Sequence, residues 1–314
     1  MYFYRICRRQ LKSNMPLPEL PESESAAADC SFQMLPGSSP VPEAQTWIQQ
    51  WQQPDGTPWS SLSRHQGHYL VRFHGMADFL LSDDGAHIRC YPVGGTPEET
   101  LRHLLLDQVI PMALSRQGNL VLHCSAVVTP QGAVGFAGET GMGKSTLTAS
   151  FCRSGFPQLT DDGLLVEEQD GKLVGFPSYP GLRLWDDSLA AIFSAQVTGM
   201  PMAHYSSKVR VALGPDTVPF CSQPAEIRRI YCLALADAVS IEPIPPSERF
   251  AELVKQSYRL DDLKDQDRLR REFERLSRVV ALPLLRRLSY PRDLVRLAEV
   301  QEAILQDIQQ EDRS

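Results

Sequence analysis

Gly138-Glu139-Thr140-Gly141-Met142-Gly143-Lys144-Ser145 fits G-x-x-x-x-G-K-[ST] at every fixed position. Glycines at these intervals let successive main-chain N–H groups turn inward on an anion, and a helix starting near the lysine adds its positive end. Such a loop cradles nucleotide phosphates: Gly138 to Thr146 would line it, Lys144 would neutralise the outer phosphates, and the Ser145 hydroxyl would ligate Mg2+. The dinucleotide pattern G-x-G-x-x-G is not satisfied.

Sixteen residues past Ser145 stands the pair Asp161-Asp162. Adjacent residues at a strand end point to opposite sides, which suits two tasks: one carboxylate takes a proton from an attacking hydroxyl, the other holds magnesium directly or through water. The competing reading is a solvated turn like Asp83-Asp84-Gly85. His123 lies in VLHCSAVV, on the strand before the one that feeds the loop. It is read either as a hydrogen-bonded core residue or as a group that stabilises charge near the terminal phosphates.

These residues need elements to position them. NLVLHCSAVV and QGAVGFAG are short apolar runs, and GETGMGKSTLTASFCRSG turns from glycine-rich loop into helix. PQLTDDGLLVEE and GKLVGFP flank an Asp-Gly turn and form a hairpin; PAEIRRIYCLALA is a further strand. Upstream, residues 68–91 alternate apolar and polar, giving two or three antiparallel strands. A helix then runs from a Thr96 cap, with Pro97 first and Glu99 as capping partner, to about Arg116, kinked at Pro111. From about Pro246 onward the pattern is helical throughout.

Length and composition bound the rest. With 314 residues, 42% hydrophobic and 22% charged, the chain has the makeup of about two globular domains. A net charge of -7 excludes a generic nucleic-acid coat, so any anion is held locally. Seven cysteines without metal-ligand spacing fit a reducing cytoplasm, and no stretch has the length of a membrane span or a secretory core. Residues 1–45, rich in Pro, Ser and acid, are expected to be a disordered tail. Residues 46–117 form a small α+β region, in which Trp47, Trp51 and Trp59 cover an apolar surface. Residues 118–245 form an α/β phosphate-loop core, and 246–314 a helical cap.

LHCSAVV followed by GFAGETGMGKSTLTASFCRSGFPQLTDDGLLV closely resembles the catalytic domain of HPr kinase/phosphorylase and its relatives, whose phosphate-loop fold is shared with ATP-dependent phosphoenolpyruvate carboxykinase. The resemblance is strong over residues 120–166. It implies that Gly138, Gly141, Gly143, Lys144, Ser145 and Thr146 form the ATP and Mg2+ site, that Asp161 deprotonates an acceptor serine with Asp162 its metal-side neighbour, and that His123 is the family histidine. The family's RGLG-type turn is not evident; SYPGLRLWDDS is the nearest text. LRHLLLDQVIPMALSRQGNLVLHCSAV and RLSYPRDLVRLAEVQEAI look like the branch found in bacterial peptide-modification clusters, lasso peptides among them.

The resulting expectation is a cytoplasmic, ATP-dependent serine kinase acting on a small protein or peptide, with a homo-oligomer allowed and neither nucleic acid nor membrane as partner. Its alternatives are an ATP-dependent peptide-binding or sensor module and a small-molecule kinase. Arg183 and Lys208 are candidates for extra phosphate contacts, with surface cations as the preferred reading. Arg286, Arg287, Arg292 and Arg296 are read first as a mixed-charge helix end.

Overall fold

Burial at every second position marks the start of the chain as strands: Tyr4 and Ile6, Leu11 and Ser13, Cys30 and Phe32 are all buried. The computed structural model describes residues 1–24, 27–44, 46–53, 55–193, 197, 199–211, 219–260 and 266–310. It shows β1 (Tyr2–Ile6), β2 (Arg9–Ser13) and β3 (Cys30–Met34) where a disordered tail is expected. Averaged composition hides the reason. Met15, Leu17 and Leu20, set among the prolines, are buried too, so the segment covers enough apolar surface to offset its ordering entropy.

The chain divides into two units. The first comprises residues 1–119, 202–206 and 259–269. After β3 it contains β4 (Trp47–Gln52), β5 (Pro58–His65), β6 (His68–Phe73), β7 (Ala77–Leu81) and β8 (His87–Pro92). Its eight-stranded sheet runs β1-β2-β3-β8-β7-β6-β5-β4, antiparallel except where β3 lies parallel to β2 and β8. Trp59 packs edge-on against Phe73 and Tyr205, with ring centroids 5.8 and 4.8 Å away.

α1 (Glu98–Leu104) and α2 (Ile110–Arg116) are joined by a single π-helical turn over Leu105–Val109. The expected capping box is absent, because Pro97 occupies the cap position and the Thr96 hydroxyl donates instead to the Met76 carbonyl at 2.9 Å. The kink expected at Pro111 is replaced by that wide turn, which places the proline in the first turn of α2.

The second unit comprises residues 120–201, 207–258 and 270–314. It opens with β9 (Leu120–Thr129) and β10 (Gly132–Ala137), an antiparallel pair, followed by α3 (Lys144–Arg153). β11 (Gln158–Thr160), β12 (Gly163–Gln169) and β13 (Lys172–Phe176) come next, the last two a hairpin on Asp170-Gly171. β14 (Leu182–Leu184) precedes α4 (Asp186–Ile192). β15 (Met200–Ala203) leads into β16 (Ser206–Val211), which pairs antiparallel with β14. β17 (Ala225–Leu235), β18 (Ser240–Pro243), α5 (Pro246–Lys255), α6 (Gln266–Ala281) from Arg270 onward, β19 (Leu285–Tyr290) and α7 (Leu297–Gln310) complete it.

Strand pairing in this unit closes on itself. β10 bonds to β9 on one edge and to β17 on the other, while β9-β12-β13-β17 return by antiparallel pairs to the same strand. Inside this ring only small residues fit at two places. A Cβ on Gly135 would lie 2.8 Å from Cys124 Sγ, and one on Gly175 2.7 Å from Ile227 Cδ1. Alternate β10 residues, Val134 and Phe136, face the other way and pack with Leu147 and Phe151 of α3. The loop between β10 and α3 is thereby fixed at both ends.

The helical reading of the C-terminal quarter holds only in part. LRRLSY forms β19, parallel to β17, because Leu285, Leu288 and Tyr290 are buried while the arginines between them reach acids on neighbouring helices. Helix α5 stops at Lys255, and the Gln256 carbonyl and Tyr258 N–H bond instead to the backbone of β9 at His123 and Val121. The stretch 261–265 of an expected helix lies outside the described residues.

Candidate active site

The expected phosphate loop stands where a strand gives way to a helix. Ala137 ends β10, Lys144 begins α3, and Gly141 and Gly143 adopt φ values of +87° and +98°, a left-handed region costly for other residues. Among the described residues, the N–H groups of Thr140, Gly141 and Gly143 make no hydrogen bond, and the first turn of α3 contributes further N–H groups without helical partners. This is the concave set of donors that an anion requires. Glu139 closes the turn by accepting from the Met142 N–H at 3.2 Å.

Lys144 is buried, and its Nζ donates to the carbonyls of Gly138 at 2.6 Å and Glu139 at 3.2 Å. Burial lowers its pKa, against the opposing pull of Asp162, Cys124 and Asp161; the charge of Lys208 adds to the lowering. The loop and the acid pair are brought together by β9: Ala137, the last residue of β10, is opposite Cys124, whose N–H donates to the Asp162 carbonyl at 2.8 Å. Ser145 and Thr146 are half-buried, and the Thr146 hydroxyl is 3.3 Å from that of Ser188 on α4.

Asp161 and Asp162 sit between β11 and β12, and Arg183 of β14 ties them together. The Arg183 N–H and Nε donate to Asp161 Oδ2 at 3.0 and 2.8 Å, and its Nη2 lies 3.3 Å from Asp162 Oδ2. The second oxygen of Asp161, Oδ1, is buried and has no hydrogen-bond partner among the described residues. Asp162 Oδ1 lies 3.0 Å from His123 Nε2, and Tyr258 donates to Oδ2 at 3.3 Å. Burial alone would push the Asp162 carboxyl up, but Arg183, His123 and Lys144 together hold it well below the usual carboxylate range, so it is ionised.

The surface-cation reading of Arg183 is thus corrected, since this side chain is buried and joins the acid pair. Local sequence could not reveal this, because the pairing of β14 with β16 places it. Lys208, on β16, lies 5.3 Å above the Trp185 ring. The arginine cluster is a mixed-charge helix end only at Arg296, in the 3-10 turn leading into α7, where it pairs with Glu299 at 2.8 Å; Arg286 and Arg287 are on β19, with Arg286 3.9 Å from Asp307 and Arg287 3.0 Å from Glu248. Sequence reasoning also passed over Tyr258 and Tyr290. The Tyr290 hydroxyl donates to the Met142 carbonyl inside the loop.

Chemically, the site offers inward N–H donors and an ammonium for an anion, one carboxylate held ionised, and a second with an oxygen to spare. Among the described residues no group of three or more His, Cys, Asp or Glu side chains forms a metal cage. Among the described residues no helix is long and apolar enough to cross a membrane.

No family model matches this chain, and neither does any curated protein. Among solved structures, the chain is similar to the HPr(Ser) kinase/phosphatase from Coxiella burnetii, at 12% identity and a TM-score of 0.32, covering 61% of this chain and 98% of that one.

Proposed function

We propose that this chain is an ATP-dependent kinase that transfers the γ-phosphoryl group to a hydroxyl, that of a serine on a small protein or peptide. The observation that carries the reading is that β9 sets the phosphate loop beside the acid pair: Ala137, where the loop begins, is opposite Cys124, whose N–H donates to the Asp162 carbonyl at 2.8 Å, and Arg183 holds both carboxylates there. A loop alone would indicate nucleotide binding; a carboxylate with a free oxygen beside it adds a proton acceptor.

The loop amides and Lys144 bind and polarise the phosphates. Arg183 fixes one oxygen of Asp161, which leaves Oδ1 to accept the proton of the acceptor hydroxyl as its oxygen bonds to the γ-phosphorus and the bond to ADP breaks. Two residues fit a magnesium ion: Ser145, whose hydroxyl stands in the first turn of α3, and Asp162, kept anionic by its neighbours. Such an ion would neutralise phosphate charge, with substrate oxygens and water completing its shell. His123 orients Asp162.

The test is Asp161→Asn assayed with MgATP and candidate peptides. ATP affinity stays within a few fold of wild type while transfer of label is abolished. Transfer at near wild-type rate would remove Asp161 from the role of base.

A further inference from the structure

β10, β17 and β19 are mutually parallel, so their carboxyl ends lie at one side of the sheet. The register runs Ala137↔Cys232 and Cys232↔Arg287, which sets the last residue of β10 level with Arg287. Tyr290 stands three residues further along β19, about 10 Å at the usual rise per residue, and so comes level with the loop that follows β10. It is 4% exposed, and burial holds its phenol protonated, with the pKa pushed up to about 12.

The Tyr290 hydroxyl donates to the carbonyl oxygen of Met142. That carbonyl and the Gly143 N–H belong to one trans peptide, and in a planar trans peptide the two point in opposite directions. The contact is close enough that a Cβ on Gly143 would lie 2.5 Å from the phenolic oxygen. Among the described residues the Gly143 N–H has no acceptor of its own.

We infer that Tyr290 is a positioning residue for the phosphate loop: by drawing the Met142 carbonyl to one side it turns the Gly143 N–H to the other, as a preset donor to a nucleoside di- or triphosphate. This assignment rests on the nucleotide reading proposed above. Without the phenol, the peptide between Met142 and Gly143, flanked by a glycine with left-handed freedom, rotates more easily, and each binding event must reorder it.

The experiment compares wild type with Tyr290→Phe, which keeps the ring, and with Leu288→Val, which loosens the same strand without touching the loop. Calorimetry with MgADP and MgATP is read beside the melting temperature of the free proteins. Tyr290→Phe weakens both nucleotides about five- to tenfold, the effect of one misdirected hydrogen bond to a charged group, and melts within about 3 °C of wild type. Leu288→Val melts lower and keeps nucleotide affinity within about twofold. In wild type the Gly143 amide resonance moves on adding MgADP, and in Tyr290→Phe that movement shrinks.

Equal affinities in wild type and Tyr290→Phe overturn the assignment while leaving nucleotide binding intact. So does a loss in Leu288→Val as large as that in Tyr290→Phe, because a slackened strand would then explain both. If Tyr290→Phe does not fold, a Gly143 amide in the wild-type protein that MgADP leaves unmoved overturns it, and one that moves upholds it. A wild-type protein that takes up neither nucleotide removes the underlying reading along with this one.

Discussion

Arg183 Nε lies 2.8 Å from Asp161 Oδ2, both side chains more than nine-tenths buried, and the same guanidinium reaches Asp162 at 3.3 Å. One cation thus compensates two carboxylates, and removing it leaves both buried without their main partner. Replacing Arg183 by Met is expected to cost about 3–5 kcal/mol of stability, the usual penalty for breaking a buried pair from one side. Chemical denaturation measures it; a loss under about 1 kcal/mol would show the pair to be solvated.

Lys144→Ala removes the only full charge among the loop residues Gly138–Thr146 apart from the carboxylate of Glu139. MgATP affinity is expected to fall at least tenfold, while the free protein loses about 1–3 kcal/mol of stability because the buried Gly138 carbonyl is left without its donor. Calorimetry decides this, and unaltered affinity would place the phosphates elsewhere.

The depressed Asp162 carboxyl gives the fold a pH dependence of definite sign. Its folded value lies below the ordinary 3.8, so its contribution is fully present above that value and is lost as the pH falls through the depressed one. The stability gap between wild type and Asp162→Asn should therefore be widest at neutral pH and narrow progressively in acid. A gap that grew toward low pH would reverse the assignment.

Burial pushes the thiols of Cys7, Cys30, Cys90, Cys152 and Cys232 up to about 12, and raises that of Cys124 as well. Cys221 is half-exposed. A thiol reagent at mildly alkaline pH should titrate one cysteine of the native protein rapidly and all seven after denaturation. Fast reaction of three or more in the native state would contradict this packing.

Gly135→Val places a branched side chain against Cys124 Sγ, which a Cβ would already meet at 2.8 Å, and Ile230 at 3.5 Å. Overpacking at such a point typically costs about 1–3 kcal/mol, so the variant should melt several degrees lower. A melting temperature equal to wild type would mean that the ring has room to expand.

The parts of the site that lie close together in sequence were readable there. The glycines, Lys144 and Ser145 obey a spacing set by backbone geometry, and strand, loop and helix follow one another without a break. Arg183 was not readable as a partner of Asp161, because nothing near it in sequence says that β14 will pair with β16 beside the acids. β19 was misread as helical because Arg286 and Arg287 interrupt its apolar residues; its two-residue period survives only at Leu288 and Tyr290. The first strands were lost to composition, since proline and acid between residues 16 and 24 outweighed the alternation on either side.

The position of β19 in the chain sets the order in which the loop is completed. Synthesis proceeds from the amino end, at about 5–20 residues per second, so the glycines, the lysine and both aspartates leave the ribosome well before Tyr290 does. A nascent or truncated chain ending short of Leu285 would carry the whole phosphate-loop motif and yet lack the strand that braces it from below. Readiness for a nucleotide would then be a property the protein acquires only once Leu285–Tyr290 has been made and has paired with β17.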